Sequence, residues 1–157
     1  MRSLSAFILL FLASFVSAQS LPDFTGHWTE QRQEKTTQDK TSSGMQRHLE
    51  IEQNGRNLRV KTVVTSSKGT RNLEVKYEIG GPETSYTGLD GDQFRSAVRW
   101  DGNALVFDII EHEDGSELPQ KTVWTLIGDG DVLQVDRTMT KSTKTSHSLT
   151  TYVRLNN

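Results

Sequence analysis

Polar and apolar residues alternate along most of this chain, a pattern that favours β-strands over helices. The clearest case runs from Leu73 to Ile79, where every second residue is apolar and the residues between are polar. Other alternating sets are found on both sides of it: Leu58, Val60, Thr62 and Val64 before it, and Phe94, Ser96, Val98 and Trp100 after it. No stretch has the period of an amphipathic helix, so the pattern predicts a protein built of strands.

Turn signals recur about every 8–14 residues, as in all-β domains, and comprise Ser66 to Thr70, Gly80-Gly81-Pro82 and five short motifs. Each motif places a glycine after Asn or Asp, the preferred composition of a tight hairpin turn. The motifs are Asn54-Gly55, Asp90-Gly91, Asp101-Gly102, Asp114-Gly115 and Asp129-Gly130. About eight to ten strands joined by short turns predict an antiparallel up-and-down β-barrel, because closure removes the exposed sheet edges. A Greek-key sandwich is the alternative.

Two stretches depart from simple alternation. Positions 31–45 are polar and lack an apolar period, which predicts a long loop after the first strand. Ala104 to Ile110 is apolar on both faces, so its outer face needs a cover or a partner.

The first eighteen residues resemble a cleaved secretory signal peptide rather than part of the fold. Arg2 is followed by an apolar run from Ala6 to Val16 and by Val16-Ser17-Ala18, a small-residue cleavage site. This run is too short to span a membrane as a helix. We therefore expect one mature domain over residues 19–157, secreted or periplasmic, with no integral membrane association after cleavage.

Composition narrows the function classes. The chain has no cysteine, which excludes disulfides, zinc–thiolate sites and cysteine nucleophiles. Its net charge of −2 and lack of a long basic run argue against a nucleic-acid partner.

The first strand carries a distinctive motif, Asp23-Phe24-Thr25-Gly26-His27-Trp28. Alternation places Phe24, Gly26 and Trp28 on one face, and the glycine allows another group to approach the backbone beside the tryptophan.

Gly26-His27-Trp28 resembles the Gly-x-Trp signature of the lipocalins and their calycin relatives. The opening motif also resembles small, uncharacterised secreted bacterial proteins of lipocalin-like shape. The resemblance implies that Gly26, Trp28 and Arg154 close the barrel, with the basic residue of the last strand packed across the tryptophan. The alternative register, with Leu149, Thr151, Val153 and Leu155 facing inward, would instead point Arg154 to solvent. The resemblance also implies a lipophilic ligand.

The alternating strands predict the interior of the barrel. Their inward faces would form one apolar lumen in which Thr62, Ser96 and Tyr77 are the few polar groups. The predicted ligand-binding residues at its open end are Tyr77, Phe94, Val98 and Trp100, with Trp28 filling the base.

No motif predicts catalysis, a cofactor or a metal site. The four histidines (His27, His48, His112 and His147) show no ligand spacing, and no Gly-x-Ser-x-Gly nucleophile motif occurs. The Asp-Gly-Asp segments at 90–92 and 129–131 lack the distal glutamate of a calcium loop, and the charged segment Glu111 to Asp114 predicts a solvated hairpin end.

Two functions remain open from the sequence. The first is an exported, non-enzymatic binding protein that holds a small apolar or amphipathic ligand in the barrel. The second is a protein-interaction module, or exported inhibitor, whose barrel is filled by side chains. An open apolar cavity of about 300 Å³ or more would favour the first.

Overall fold

The computed structural model of the chain describes residues 20–31 and 44–155. The signal-peptide expectation for residues 1–18 and positions 32–43 of the polar loop lie outside the described residues. In the part that is described, no helix is long and apolar enough to cross a membrane.

Ten strands form one sheet in which each strand pairs antiparallel with its neighbours. They are β1 (Gly26–Glu30), β2 (Gln46–Asn54), β3 (Asn57–Ser66), β4 (Gly69–Glu78), β5 (Thr84–Thr87), β6 (Gln93–Asp101), β7 (Ala104–Glu113), β8 (Ser116–Ile127), β9 (Val132–Lys141) and β10 (Lys144–Arg154). The spatial order is β4-β3-β2-β1-β10-β9-β8-β7-β6-β5. The predicted all-β, up-and-down barrel of about eight to ten strands is confirmed.

The hairpin turns use the residues that the sequence pattern picked out. Gly55 and Gly102 each have φ +57°, and Asp114 with Gly115 has φ +49° and +77°. Such left-handed backbone suits glycine, and the twist of these turns matches that of the strands they join.

β1 and β10 meet over only three residue pairs, which join the two ends of the chain. Trp28 lies opposite Arg154, Thr29 opposite Val153, and Glu30 opposite Tyr152. β10 extends far beyond the short β1, so among residues 20–31 and 44–155 the sheet is continuous at one end of the barrel and parts at the other. We call these the closed end and the open end.

No strand ladder joins β4 to β5, where the barrel is completed by other contacts. At the closed end Ile79 forms an isolated bridge with Val98, and the Gly80 amide donates to the Val98 carbonyl at 2.7 Å. Toward the open end the Arg71 Nη1 donates to the Leu89 carbonyl at 2.8 Å. The aromatic rings of Tyr77 and Tyr86 span the gap, with centroids 6.3 Å apart.

The closed end holds the densest part of the core. Trp28, Phe24, Leu105 and Leu133 are each fully buried. The Trp28 indole Nε1 donates to the Phe24 carbonyl at 3.0 Å, so the largest buried side chain leaves no unpaired donor.

Arg154 lies across Trp28, with its guanidinium carbon 4.4 Å from the ring centroid. Its Nη2 and Nε donate to the Gly130 carbonyl at 2.9 and 3.1 Å, and its Nη1 donates to the Thr25 carbonyl. Tyr152 and Arg154 therefore face inward, while Leu149 and Leu155 are 55% and 46% exposed. The register that would point Arg154 to solvent is not the one adopted.

Gly26 is favoured both by this contact and by its backbone, whose φ of +153° is a conformation that L side chains rarely adopt. A Cβ atom at position 26 would lie 2.7 Å from the Arg154 Nη1, closer than real Cβ atoms approach. The Gly-x-Trp pattern thus has a steric reason: the glycine leaves room for the guanidinium that covers the tryptophan.

We predict that Gly26→Ala destabilises the protein by about 1–3 kcal/mol, because the added methyl displaces the guanidinium. In an Arg154→Ala background the same change should cost less, because only the backbone strain at φ +153° remains; urea unfolding of all four variants measures both costs. Gly55→Ala is the matched control, since its backbone is strained but no atom lies within 4 Å of the added Cβ. A Gly26→Ala cost that is equal in both backgrounds would contradict the steric explanation.

Candidate ligand-binding cavity

A cavity of about 550 Å³ lies inside the barrel above the closed end. Every strand except β1 contributes to its wall, because the inward positions of the long strands continue past the point where β1 stops. The volume falls within the range of small-molecule sites.

The floor of the cavity is apolar. Trp124 and Val135 lie opposite each other on β8 and β9, and Phe107 packs on Trp124 with ring centroids 4.6 Å apart. Leu49, Val60 and Val75 complete the apolar wall from β2, β3 and β4. Trp124 is the one tryptophan that lines the cavity.

Four aromatic rings form the wall beside the β4–β5 gap. The Tyr77 ring packs edge to face against Phe107 and Tyr86, with ring centroids 5.5 and 6.3 Å apart. The Tyr86 ring stacks on Phe94, with centroids 5.3 Å apart. Burial raises the pKa of Tyr77 and of Tyr86 above the ordinary tyrosine value, so both hydroxyls are protonated and neutral. This side of the cavity offers aromatic faces and neutral hydroxyls.

A cationic side lies where β2 approaches β10. Arg47 on β2 contacts Glu30 at 3.5 Å. It also lies against Tyr152, a buried residue of β10. Burial raises the pKa of Tyr152, although the charge of Arg47 and its hydrogen bond act against that rise. The guanidinium of Arg47 is therefore shared between a carboxylate and a phenol.

Polar residues also cross β7, β8 and β9 on the cavity wall. The Gln120 amide donates to the Glu111 carboxylate, Thr122 follows Gln120 on the same face of β8, and Arg137 lies opposite Thr122 on β9. We call Glu111, Gln120, Thr122 and Arg137 the polar seam. Gln120 and Thr122 are 8% and 3% exposed and belong to the interior, whereas Glu111 is half-buried and Arg137 is exposed.

Two groups of the polar seam have unmet bonding capacity. The Thr122 hydroxyl is buried without a hydrogen-bond partner among the described residues. Over the same residues Arg137 makes no hydrogen bond and no ion pair within 4 Å; its charge acts only at longer range on its neighbours. A buried or half-enclosed polar group without a partner costs free energy, and a ligand can supply the missing partner.

Burial raises the pKa of Glu111 above the ordinary glutamate value. The nearby carboxylates of Asp92, Asp90 and Glu113 raise it further, while the guanidinium of Arg137 lowers it. Of these neighbours, Glu113 is paired with Lys141 at 2.5 Å. Glu111 is thus an acid held in the wall near a cation that it does not contact.

The structure places the sequence-predicted ligand residues at two depths. Tyr77 and Phe94 line the cavity. Val98 and Trp100 do not: Val98 is 2% exposed within the core, and Trp100 packs on Phe24 at 6.1 Å. Among the predicted polar groups of the lumen, Thr62 also lines the cavity, whereas Ser96 is buried away from it.

The charged residues of the wall were missed. The segment Glu111 to Asp114 was expected to be a solvated hairpin end, but Glu111 faces the cavity because β7 continues with unbroken alternation from Phe107 through Ile109. Arg137 could have been found in the same way, since Leu133, Val135 and Met139 share its face. An arginine inside an apolar alternation was the available sequence signal.

Metal chemistry has no visible site here. Among residues 20–31 and 44–155, no group of three or more His, Asp or Glu side chains is close enough to hold an ion.

No protein-family model matches the sequence, and no curated protein sequence matches it either. Several solved structures are similar in shape over their whole length. The REP1-NXSQ fatty acid transporter has a TM-score of 0.63 at 16% identity, with 85% of this chain and 97% of that one covered. The extracellular fatty acid binding protein As-p18 has a TM-score of 0.62 at 15% identity, with 87% of this chain and 100% of that one covered. A zebrafish ileal bile acid-binding protein complexed with cholic acid has a TM-score of 0.59 at 17% identity, with 84% of this chain and 98% of that one covered. These likenesses show the fold alone: an antiparallel up-and-down β-barrel of lipocalin-like shape.

We predict that Glu111→Gln stabilises the protein at neutral pH. A carboxyl whose pKa is raised by folding favours the folded state when protonated, and that contribution is lost as pH rises through the folded-state pKa. The melting temperature of the variant should therefore exceed that of the wild type at neutral pH. The difference should shrink as pH falls toward the unfolded glutamate value of about 4.3. A difference that grows on acidification would contradict the sign of this shift.

Proposed function

We propose that this protein is an exported, non-enzymatic carrier that holds one small amphipathic molecule inside its barrel. The apolar part of the ligand lies on the floor formed by Phe107, Trp124 and Val135. Its polar end lies toward Arg137 and the Arg47–Tyr152 pair.

The observation that carries this proposal is the division of the cavity wall. A lumen meant only to be filled would have no reason to keep about 550 Å³ empty. A purely apolar molecule would gain nothing from the arginine and glutamate side chains on this wall, and its binding would remove water from those charged groups at a cost in free energy. An apolar floor below polar walls matches a molecule that is itself divided into an apolar tail and a polar head.

The names of the structural neighbours support binding or transport rather than catalysis. They include a fatty acid transporter, an extracellular fatty acid binding protein and a bile acid-binding protein. The proposal of export has separate support in the sequence, where Arg2, the apolar run and Val16-Ser17-Ala18 match a signal peptide.

The interaction-module alternative drew on the polar 31–45 loop, most of which lies outside the described residues, or on an outer strand face such as that of β7. Val106 is 2% exposed and lies between Arg99 on β6 and Val123 on β8. The next outward residue, Asp108, is paired with Arg99 at 3.3 Å. No specific contact therefore favours a protein partner on this face.

We predict that dodecanoate changes the tryptophan fluorescence of the mature protein and raises its melting temperature. Trp124→Phe should abolish most of the fluorescence change, because Trp124 alone of the tryptophans lines the cavity. Trp100→Phe, a change of the same kind in the core beneath, should keep it. Dodecanoate that alters neither fluorescence nor melting temperature would contradict the carrier proposal, as would loss of the response in Trp100→Phe but not in Trp124→Phe.

We predict that exported protein begins at Gln19. Ala18 is the small residue before the expected cut, with Val16 at the other recognised position. N-terminal sequencing of protein purified from the exporting cell gives the answer directly. A sequence beginning at Met1 or Arg2 would show that the segment is retained.

A further inference from the structure

We propose that the polar seam selects amphiphiles whose head carries an anionic group next to the tail and a protonated amine beyond it. This inference deepens the proposed function and rests on it. It assigns the anion to Arg137 and the amine to Glu111.

The polar seam offers two opposite charges that do not pair with each other. Arg137 has no hydrogen bond or ion pair within the described chain, and Glu111 is bonded to the neutral amide of Gln120. A direct Arg137–Glu111 pair would leave little for a ligand to recognise. Held apart, each charge needs a partner of the opposite sign once a ligand displaces water from the cavity.

The apolar and charged side chains follow a fixed order along the cavity wall, from the closed end to the open end. From the closed end outward, the cross-strand rows run from Trp124 with Val135, to Thr122 with Arg137, to Gln120 with Met139. Glu111 lies one inward position beyond Ile109, the β7 partner of Gln120. The acid is therefore nearer the open end than the arginine, and the apolar floor lies below both.

This order predicts the order of groups in the ligand. A tail on Trp124 brings the first charged group to Arg137 and the outer group to Glu111. Successive inward rows are about 7 Å apart along a strand, so the backbone positions of Arg137 and Glu111, two rows apart, differ in depth by about 14 Å. The Glu111 side chain reaches back one row to the Gln120 amide. A short spacer between two charges can bridge the remaining separation when the flexible Arg137 side chain closes on it.

A simple fatty acid can pair with only one of the two charges of the polar seam. Its carboxylate can pair with Arg137, but it leaves the carboxylate of Glu111 enclosed and without a cation. The raised pKa of Glu111, caused by burial and by Asp92, Asp90 and Glu113, reflects that unmet need. Lys141 does not neutralise Glu111, because the Lys141 ammonium is paired with the Glu113 carboxylate. An N–H-bearing amine on the ligand would provide both charge and hydrogen bonds.

Arg47 fits this assignment less well than Arg137. Its guanidinium already contacts Glu30 at 3.5 Å and lies against Tyr152. Arg137 also has beside it the unpartnered hydroxyl of Thr122, a second donor in the same row.

The test compares amphiphiles with the same twelve-carbon acyl chain and different heads, using the mature protein and Trp124 fluorescence. Lysophosphatidylethanolamine has the phosphate near the tail and a protonated amine beyond it. Lysophosphatidic acid has only the anion, and lysophosphatidylcholine has a quaternary cation without an N–H. Dodecanoate reports on binding of the tail with a single anion.

We expect lysophosphatidylethanolamine to bind about tenfold more tightly than either of the other lysophospholipids, as one charge-assisted hydrogen bond would give. Glu111→Gln should remove that preference and leave dodecanoate binding as tight or tighter. Arg137→Leu should weaken all four ligands. Glu117→Gln is the matched control, because Glu117 lies on the outer face of the same β7–β8 hairpin and is paired with Arg95 at 2.9 Å.

The outcomes separate the two proposals. If dodecanoate binds but lysophosphatidylethanolamine has no advantage over lysophosphatidic acid, or keeps its advantage in Glu111→Gln, the head-group inference is wrong and the carrier function stands. If no amphiphile in the series binds the wild-type protein, both proposals are wrong.

Discussion

The barrel depends on one arginine that joins three segments distant in sequence. Arg154 donates to the carbonyls of Thr25 and Gly130 and covers the face of Trp28. Only three residue pairs connect β1 to β10, so backbone hydrogen bonds alone make a short closure. The planar guanidinium extends this closure because its several N–H groups reach carbonyls that no strand ladder could pair. Gly26 makes the arrangement possible by lacking a side chain where the guanidinium lies.

Closing the barrel at one end determines where it can be empty. The large side chains Trp28, Phe24 and Trp100 gather at the closed end and fill it. β1 ends at Glu30, whereas β10 begins at Lys144, so the remaining strands enclose a space beyond the packed core. The cavity is therefore a consequence of unequal strand lengths together with the placement of aromatic residues in the lower rows. The depth of the cavity is set by the Arg154–Trp28 contact that also closes the barrel.

Much of the fold could be predicted from the sequence because its signals are local. The alternation of polar and apolar residues predicted the strands, and the Asn-Gly and Asp-Gly pairs predicted the turns. Each of these signals is contained in a few consecutive residues. The site was harder, since the depth of a residue depends on the register of many strands. Tyr77 and Trp100 occupy similar positions in their alternating patterns, yet only Tyr77 reaches the cavity. The polar seam was missed for a different reason: charged residues at a strand end usually point away from the barrel, whereas Glu111 is half-buried and lines the cavity.

The charged residues inside an otherwise apolar alternation are the most informative feature of this chain. In a barrel whose only task was to fold, an apolar residue at position 137 would continue the face of Leu133, Val135 and Met139 and would add to stability. Arginine at that position puts on the cavity wall a charge that makes no ion pair within the described part of the protein. Such departures from a consistent pattern are expected where function, rather than folding, determines the residue. Glu111 is a second departure, of opposite sign, on the same wall. A single departure would indicate only that the ligand is polar at one end, whereas two, at different depths, specify the order in which its charges must come.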